Sequence, residues 1–227
     1  MGRRSEVQST NSNPAQKFIE WSSKNKCFEY YNKEAKENKL IKLPFTFLFL
    51  AERTTIKGFD GEDETGIYSN EVKNFKTEPL EVKNFKKRKI ANGLWDDIKA
   101  DVTDRGGKFA KSIYAMTKKG TLIKVTLYGG AIGEWFSFTE KSRVRLTDEW
   151  VTVTDFEERK KFGNTYFVPV FNYNKSLNEE EGKLADEAYK IFEEFEKEPS
   201  PRKQEADAYV GDEFEPATDF EDDIAPY

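Results

Sequence analysis

The sequence predicts a mainly β domain with α-helical additions, flanked by two segments without stable structure. Three observations carry this. Of 227 residues, 33 are aromatic and 19 of those are Phe, and such side chains favour strands. Short runs of alternating polarity recur between turn signals. Apolar density falls away at both ends: residues 1–13 hold only Met1 and Val7 as large apolar side chains, and residues 198–227 are rich in Pro, Glu, Asp and Ala. Such segments bury too little surface to offset their ordering entropy. They are expected to be disordered, leaving one folded domain over 14–197.

In chain order, Phe28 and Tyr30 alternate with Glu29, and Asn32-Lys33 opens a polar stretch before Leu40-Ile41. Asn13-Pro14 could start a helix, but this alternation favours a hairpin across 15–37. Leu43 to Leu50 is the most apolar run; it is too short to span a bilayer. It reads as a central strand, 45–57, running through Thr54, Thr55 and Ile56 to Gly58. Residues 59–105 are a long excursion with turn signals at Asp60-Gly61 and Thr65-Gly66. Within it Glu-Val-Lys-Asn-Phe-Lys occurs twice, at 71–76 and 81–86. Two facing strands would form an arm with a Phe75/Phe85 and Lys76/Lys86 face; a chance repeat in a solvated loop is the alternative.

Beyond Gly106-Gly107, strands are predicted over 108–117 and 121–128, joined at Lys118-Lys119-Gly120. Gly129-Gly130 ends the second, and 131–141 reads as a short helix holding Trp135, Phe136 and Phe138. Strands 149–157 and 165–172 flank a turn at Gly163-Asn164. A final helix has a capping box at Ser176 and Glu179 and an apolar stripe of Leu184, Ala185, Ala188, Ile191, Phe192 and Phe195; Pro199 stops it. Five strands with a helix after the third is the element order of the OB-fold, a five-stranded Greek-key barrel. The excursion would be an enlarged loop between the first two strands, a position that closes over nucleic acid in that fold.

The charge is divided unevenly. From Gln204 onward there are nine acidic side chains and no basic one, so a net charge of −5 for the chain leaves about +4 for residues 1–203. A basic body attracts polyphosphate, and an acidic tail is repelled by it. The chain has no His, which removes Cys/His zinc sites and His-based triads. Cys27 is alone, so no internal disulfide forms. This suits a reducing cytoplasm. No signal peptide is expected, because Met1-Gly2-Arg3-Arg4-Ser5 is not followed by an apolar stretch. No membrane partner and no cofactor are expected.

Sequence-tolerant binding of a single strand needs cations for phosphates and flat side chains for unstacked bases. Both are interleaved over 85–114. Lys86, Lys87, Arg88, Lys89, Arg105, Lys108 and Lys111 are candidates for phosphate. Phe85, Trp95, Phe109 and Tyr114 are candidates for stacking. Trp135, Phe136, Phe167 and Phe171 are assigned to the core.

A rival reading places Mg²⁺ on Asp96, Asp97, Asp101 and Asp104 for phosphodiester hydrolysis. The same carboxylates on a solvated helix face or turn are the plainer account. No Gly-rich loop ending in Gly-Lys-Ser/Thr is present, which argues against an ATP-driven motor. A structural or adaptor protein of a virion is a third class, its tail a solubility device.

The chain ends Asp219-Phe220-Glu221-Asp222-Asp223-Ile224-Ala225-Pro226-Tyr227, a dense anion closing on a short apolar hook. This tip resembles that of the bacterial single-stranded-DNA-binding proteins, an acidic run closing on Ile-Pro-Phe. It differs in Glu221, in Ala225 between Ile224 and Pro226, and in Tyr227 for the final Phe. The resemblance covers about nine of the 227 residues. It implies an OB-fold body that binds single-stranded DNA in replication, recombination or repair. It further implies that the tip recruits partner proteins, and that the tail folds back on the empty basic groove until DNA displaces it. The tail, on a body unlike the cellular binders, suggests a phage protein acting in the bacterial host cytoplasm. A homo-oligomer is compatible with the sequence.

Overall fold

The strand Phe45–Asp60 organises the molecule, because its two halves serve different neighbours. In the computed structural model, which describes residues 13–141, 143–161 and 163–197, it is the fourth of eleven strands. The termini 1–12 and 198–227, with the acidic tip, lie outside the described residues. Asn13, expected in the disordered N-terminus, is instead buried and donates from Nδ2 to the Tyr114 hydroxyl at 3.1 Å.

The strands are β1 Lys17–Ser22, β2 Cys27–Asn32, β3 Glu37–Ile41, β4 Phe45–Asp60, β5 Thr65–Ser69, β6 Leu80–Asn84, β7 Lys89–Gly93, β8 Gly107–Met116, β9 Leu122–Tyr128, β10 Glu149–Lys161 and β11 Asn164–Ser176. The helices are α1 Trp95–Asp104, α2 Gly130–Glu140 and α3 Glu179–Lys197. The expected hairpin at 15–37 is β1–β2, and β3 adds to it. The five predicted strands appear as β4, β8, β9, β10 and β11, with α2 after the third.

Their pairing runs β4–β8, β8–β9, β4–β10 and β10–β11, all antiparallel. A closed five-stranded barrel is nevertheless not formed. The free edge of β9 is taken by β1, in parallel, so β9 and β11 do not pair. The β11 backbone instead meets side chains at the end of β1: Trp21 Nε1 donates to the Phe167 carbonyl at 2.9 Å, and the Phe167 N–H donates to Oγ of Ser23, just past β1, at 2.8 Å. The result is an open mixed sheet of eleven strands, β3 and β7 ending its main path.

The expected loop at 59–105 is a folded unit. β5, β6 and β7 extend the sheet beyond β4, and α1 packs on them through Trp95, Ile98 and Val102. Ile56, Ile67, Val72, Leu80 and Val82 complete this second core. The arm is absent. In the first repeat copy only Val72 pairs, with Thr54, and the chain then turns at Phe75-Lys76; in the second, β6 turns at Phe85-Lys86. The unit returns to the sheet where β4 and β8 almost touch. A Cβ on Gly58 would meet the Gly106 carbonyl oxygen at 2.2 Å, and Gly106 has φ +87.

The main core lies between the sheet and α2. It stacks Phe28, Phe45, Phe47, Trp135 and Phe171 with Ile19, Ile113, Val125 and Leu127. Each such burial contributes roughly 1.5–3 kcal/mol. α3 covers the other face, resting on it through Ala188 and Phe192. Its capping pair is Asn178 with Glu181, not Ser176 with Glu179: Asn178 Oδ1 accepts the Glu181 N–H at 2.8 Å, and Glu181 Oε2 accepts the Asn178 N–H at 3.0 Å. Ser176 is still in β11, which runs longer than its alternation predicts.

Candidate nucleic-acid interface

The strongest basic cluster is a built turn. Between β6 and β7 the Asn84 and Arg88 backbones pair at 3.0 Å, the Asn84 side chain accepts the Arg88 N–H, and Lys87 adopts φ 63. Lys86, Lys87, Arg88 and Lys89 are all exposed. Phe85, half-buried, stacks toward Tyr68 at 5.6 Å; Gly66 makes room, since a Cβ there would lie 2.5 Å from the Phe85 ring.

An acidic turn faces these cations. The Asp60 side chain is fully buried and accepts the Glu62 and Asp63 N–H groups at 3.1 and 3.4 Å. Asn84 Nδ2 donates to both Asp60 (3.1 Å) and Asp63 (2.6 Å). Arg105, arriving from the end of α1, holds Asp60 at 2.8 Å and Asp63 at 3.5 Å, and also pairs with Glu62. Arg88 reaches Asp63 at 3.3 Å, and Lys86 Nζ donates to the Asp63 carbonyl. Burial pushes the Asp60 carboxyl up, but Arg105, Asn84 and the turn's own N–H groups more than reverse this. Bonding to Asp60 in turn raises Arg105. Of the cations that the sequence marks for phosphate, Arg88 and Arg105 thus carry internal counter-ions.

The remaining predicted residues divide. Lys108 is half-exposed on β8, opposite Lys57 of β4. Phe109 is half-buried, its ring 5.2 Å from both Phe75 and Trp95. Trp95 is buried and serves the second core, so it offers no face to a base. Lys111 is buried, 3.5 Å from Glu52 and over the Phe136 ring. Tyr114 has no exposed surface; its hydroxyl donates to Glu71 Oε2 at 2.6 Å. Phe136, assigned to the core, is exposed, and Phe167 is half-buried; Trp135 and Phe171 are in the core.

Polar and aromatic side chains that the sequence pattern does not mark line the outer face of β1, β9, β8 and β4. Lys57 Nζ donates to Glu20 at 3.1 Å, and Tyr128 OH donates to the same carboxylate at 3.0 Å. Burial, then the Glu20 charge, pushes the Tyr128 hydroxyl well up. Farther along, Lys124 is buried against Glu71 at 2.9 Å. Burial raises the Glu71 carboxyl, but Lys124 and its hydroxyl neighbours bring it below the usual range. At the end where β9 stops, Lys26 lies 4.0 Å over the Phe167 ring and 5.3 Å over Phe156. Strand alternation exposes Lys57 and Tyr128 to inference. The Lys26 contact joins the β1–β2 turn to β10 and β11, far away in sequence, and leaves no local signal.

Asp96, Asp97, Asp101 and Asp104 are exposed on α1. Among the described residues no group of three or more potential ligands could hold a metal ion, and no helix is long and apolar enough to cross a membrane. Compared with protein-family models, with curated proteins and with solved structures, the chain finds no match in any of the three.

Proposed function

We propose that the chain binds single-stranded DNA without sequence preference, on an OB-type body whose acidic tail competes for the groove and recruits replication or recombination proteins. The observation that carries this is the strand pairing. β4, β8 and β9 form a meander, β10 returns antiparallel to the other edge of β4, and β11 pairs with β10. α2 lies between the third and fourth of these strands. This is the Greek-key order of the OB-fold, with β1 inserted where the barrel would close. In that fold oligonucleotides lie across the second and third strands, between the loop after the first strand and the loop after the fourth.

Here those positions correspond to the 59–106 unit and the β10–β11 hairpin. Both flank one end of the sheet: the unit leaves β4 where Gly58 meets Gly107, and Gly130, just past β9, abuts Tyr166 of the hairpin. Lys57, Lys108 and Tyr128 form the floor between them. Lys26 over Phe156 and Phe167, beside the hairpin, and the exposed Lys86 to Lys89, in the 59–106 unit, supply further cations and rings for this reading.

The four tryptophans are buried, so their fluorescence is a poor reporter of stacking. The test is the anisotropy of labelled oligo-dT, titrated across salt, against a duplex of the same length. Binding of oligo-dT that weakens with salt, at a slope of about −0.7 per phosphate neutralised, with much weaker duplex binding, is the expected result. Deletion of 205–227 tightens oligo-dT binding at fixed low salt. Free oligo-dT at low salt, or equal affinity for duplex, overturns the proposal.

A further inference from the structure

We infer that Arg88 and Arg105 form a masked phosphate subsite, in which the carboxylates of Asp63 and Glu62 occupy the place of DNA phosphates until a strand displaces them. The inference rests on the single-strand reading above and goes beyond it, since it assigns a regulatory role to residues outside the tail.

Two kinds of carboxylate meet Arg105. Asp60 is structural: its side chain has 0 % exposure, and it is fixed by Arg105, Asn84 and two backbone N–H groups. Asp63 and Glu62 are peripheral, with side chains 22 % and 66 % exposed. Arg105 points Nη1 to Glu62 and shares Nη2 between Asp60 and Asp63. Arg88 places Nη1 3.3 Å from both Asp63 oxygens. Asp63 therefore bridges two guanidinium groups, as a phosphate does.

The energetics favour exchange at this position. Glu62 is exposed and held by Arg105 alone, whereas Asp63 is half-buried and held by Arg105, Arg88 and Asn84. Glu62 therefore yields first, and Asp63 follows when a phosphate replaces its bonds to the two guanidinium groups. Asp60 stays behind to keep Arg105 aimed, and Asn84 keeps both turns in register. Asp60, Glu62, Asp63 and Glu64 nearly balance Lys86, Lys87, Arg88, Lys89 and Arg105. An unmasked turn presents far more positive charge than a masked one. A strand must compete for it, which lowers affinity and favours long strands that engage the rest of the face first.

The test uses the full chain and labelled oligo-dT. Asp63→Asn and Glu62→Gln are compared singly and together with the unaltered protein, with melting temperature as the check on folding. Glu62→Gln is the variant least exposed to misfolding, because the Glu62 side chain bonds only to Arg105 at the surface. The expected result is binding about 3- to 10-fold tighter at low salt in the double variant. Its salt slope steepens by about 0.7 for each further phosphate neutralised. The improvement shrinks when Arg88→Ala is added. Binding by the unaltered protein that all three variants leave unchanged or weaken overturns the mask and spares the single-strand reading. Failure of every form, unmasked ones included, to bind oligo-dT overturns both.

Discussion

The Tyr114 ring lies under Phe192 of the C-terminal helix, centroids 4.5 Å apart and 44° between planes. Tyr114 is the base on which α3 is seated. Arg53 adds a second fastening: it pairs with Glu196 and lies 5.2 Å from the Phe192 ring. Only Ala188 and Phe192 of this 19-residue helix are buried, so its docking hangs on few side chains.

Phe192→Ala should therefore undock the helix while leaving the sheet folded. Truncating a buried Phe costs about 3–5 kcal/mol, and the peripheral position puts this site at the lower end. Limited proteolysis reads the outcome. Cleavage within 179–197 should accelerate well before the body is cut. Simultaneous loss of both would mean that α3 is integral to the core.

The buried pair of Lys124 and Glu71 yields a second prediction. Removing one member of such a pair leaves an uncompensated charge and costs about 3–5 kcal/mol. Replacing both with apolar residues of similar volume is often close to neutral. Glu71→Gln should thus lower the urea midpoint sharply. The double variant Glu71→Leu with Lys124→Met should recover most of the loss. A double variant no better than the single one would show that the pair's value lies in the hydrogen bond from Tyr114.

Phe45 to Leu50 is legible as an unbroken apolar run because both its faces are covered, Phe45 and Phe47 by the aromatic core and Leu48 and Leu50 by Met116, Leu122, Trp150 and Ala188. In Leu122 to Tyr128 the alternation is local, with Ile123, Val125 and Leu127 in the aromatic core and Lys124 and Thr126 on the other face. The same reasoning failed for the two copies of Glu-Val-Lys-Asn-Phe-Lys. Context decides their fate. In the first, Asn74 Oδ1 accepts the Lys76 N–H and Glu78 Oε1 accepts the Asn74 N–H, which curls the chain into a turn. In the second, Val82 pairs with Ala91 and continues a sheet. Trp95, Ile98 and Val102 do recur at helical spacing, a signal that could have found α1 and moved Trp95 from platform to core. The masking of Arg105 could not have been read, since Asp60 and Asp63 lie more than forty positions away in sequence.

The place of Trp95 in the core can be tested against Lys89 on the neighbouring turn. Trp95→Ala should cost about 3–5 kcal/mol, because the second core closes around it. Lys89→Ala, at an exposed site, should stay within about 0.5 kcal/mol. Thermal melts monitored by circular dichroism compare them. Equal melting temperatures would return Trp95 to the surface.

Glu181 sets an acid limit on the start of α3. Its carboxylate accepts from Lys175 Nζ at 2.8 Å and from the Asn178 N–H at 3.0 Å. The Lys175 ammonium first, then the Asn178 N–H, bring its pKa from the usual 4.5 to about 2. The folded value is the lower one, so the unfolded chain binds this proton more readily. The resulting stabilisation is fully present above pH 4.5 and is lost as the pH falls towards 2. Glu181→Gln removes the charge at every pH. Urea midpoints of the two proteins should differ at pH 7, converge below pH 4.5, and nearly coincide at the acid end. A gap that stays constant across that window would mean the side chain acts through the neutral capping bond alone.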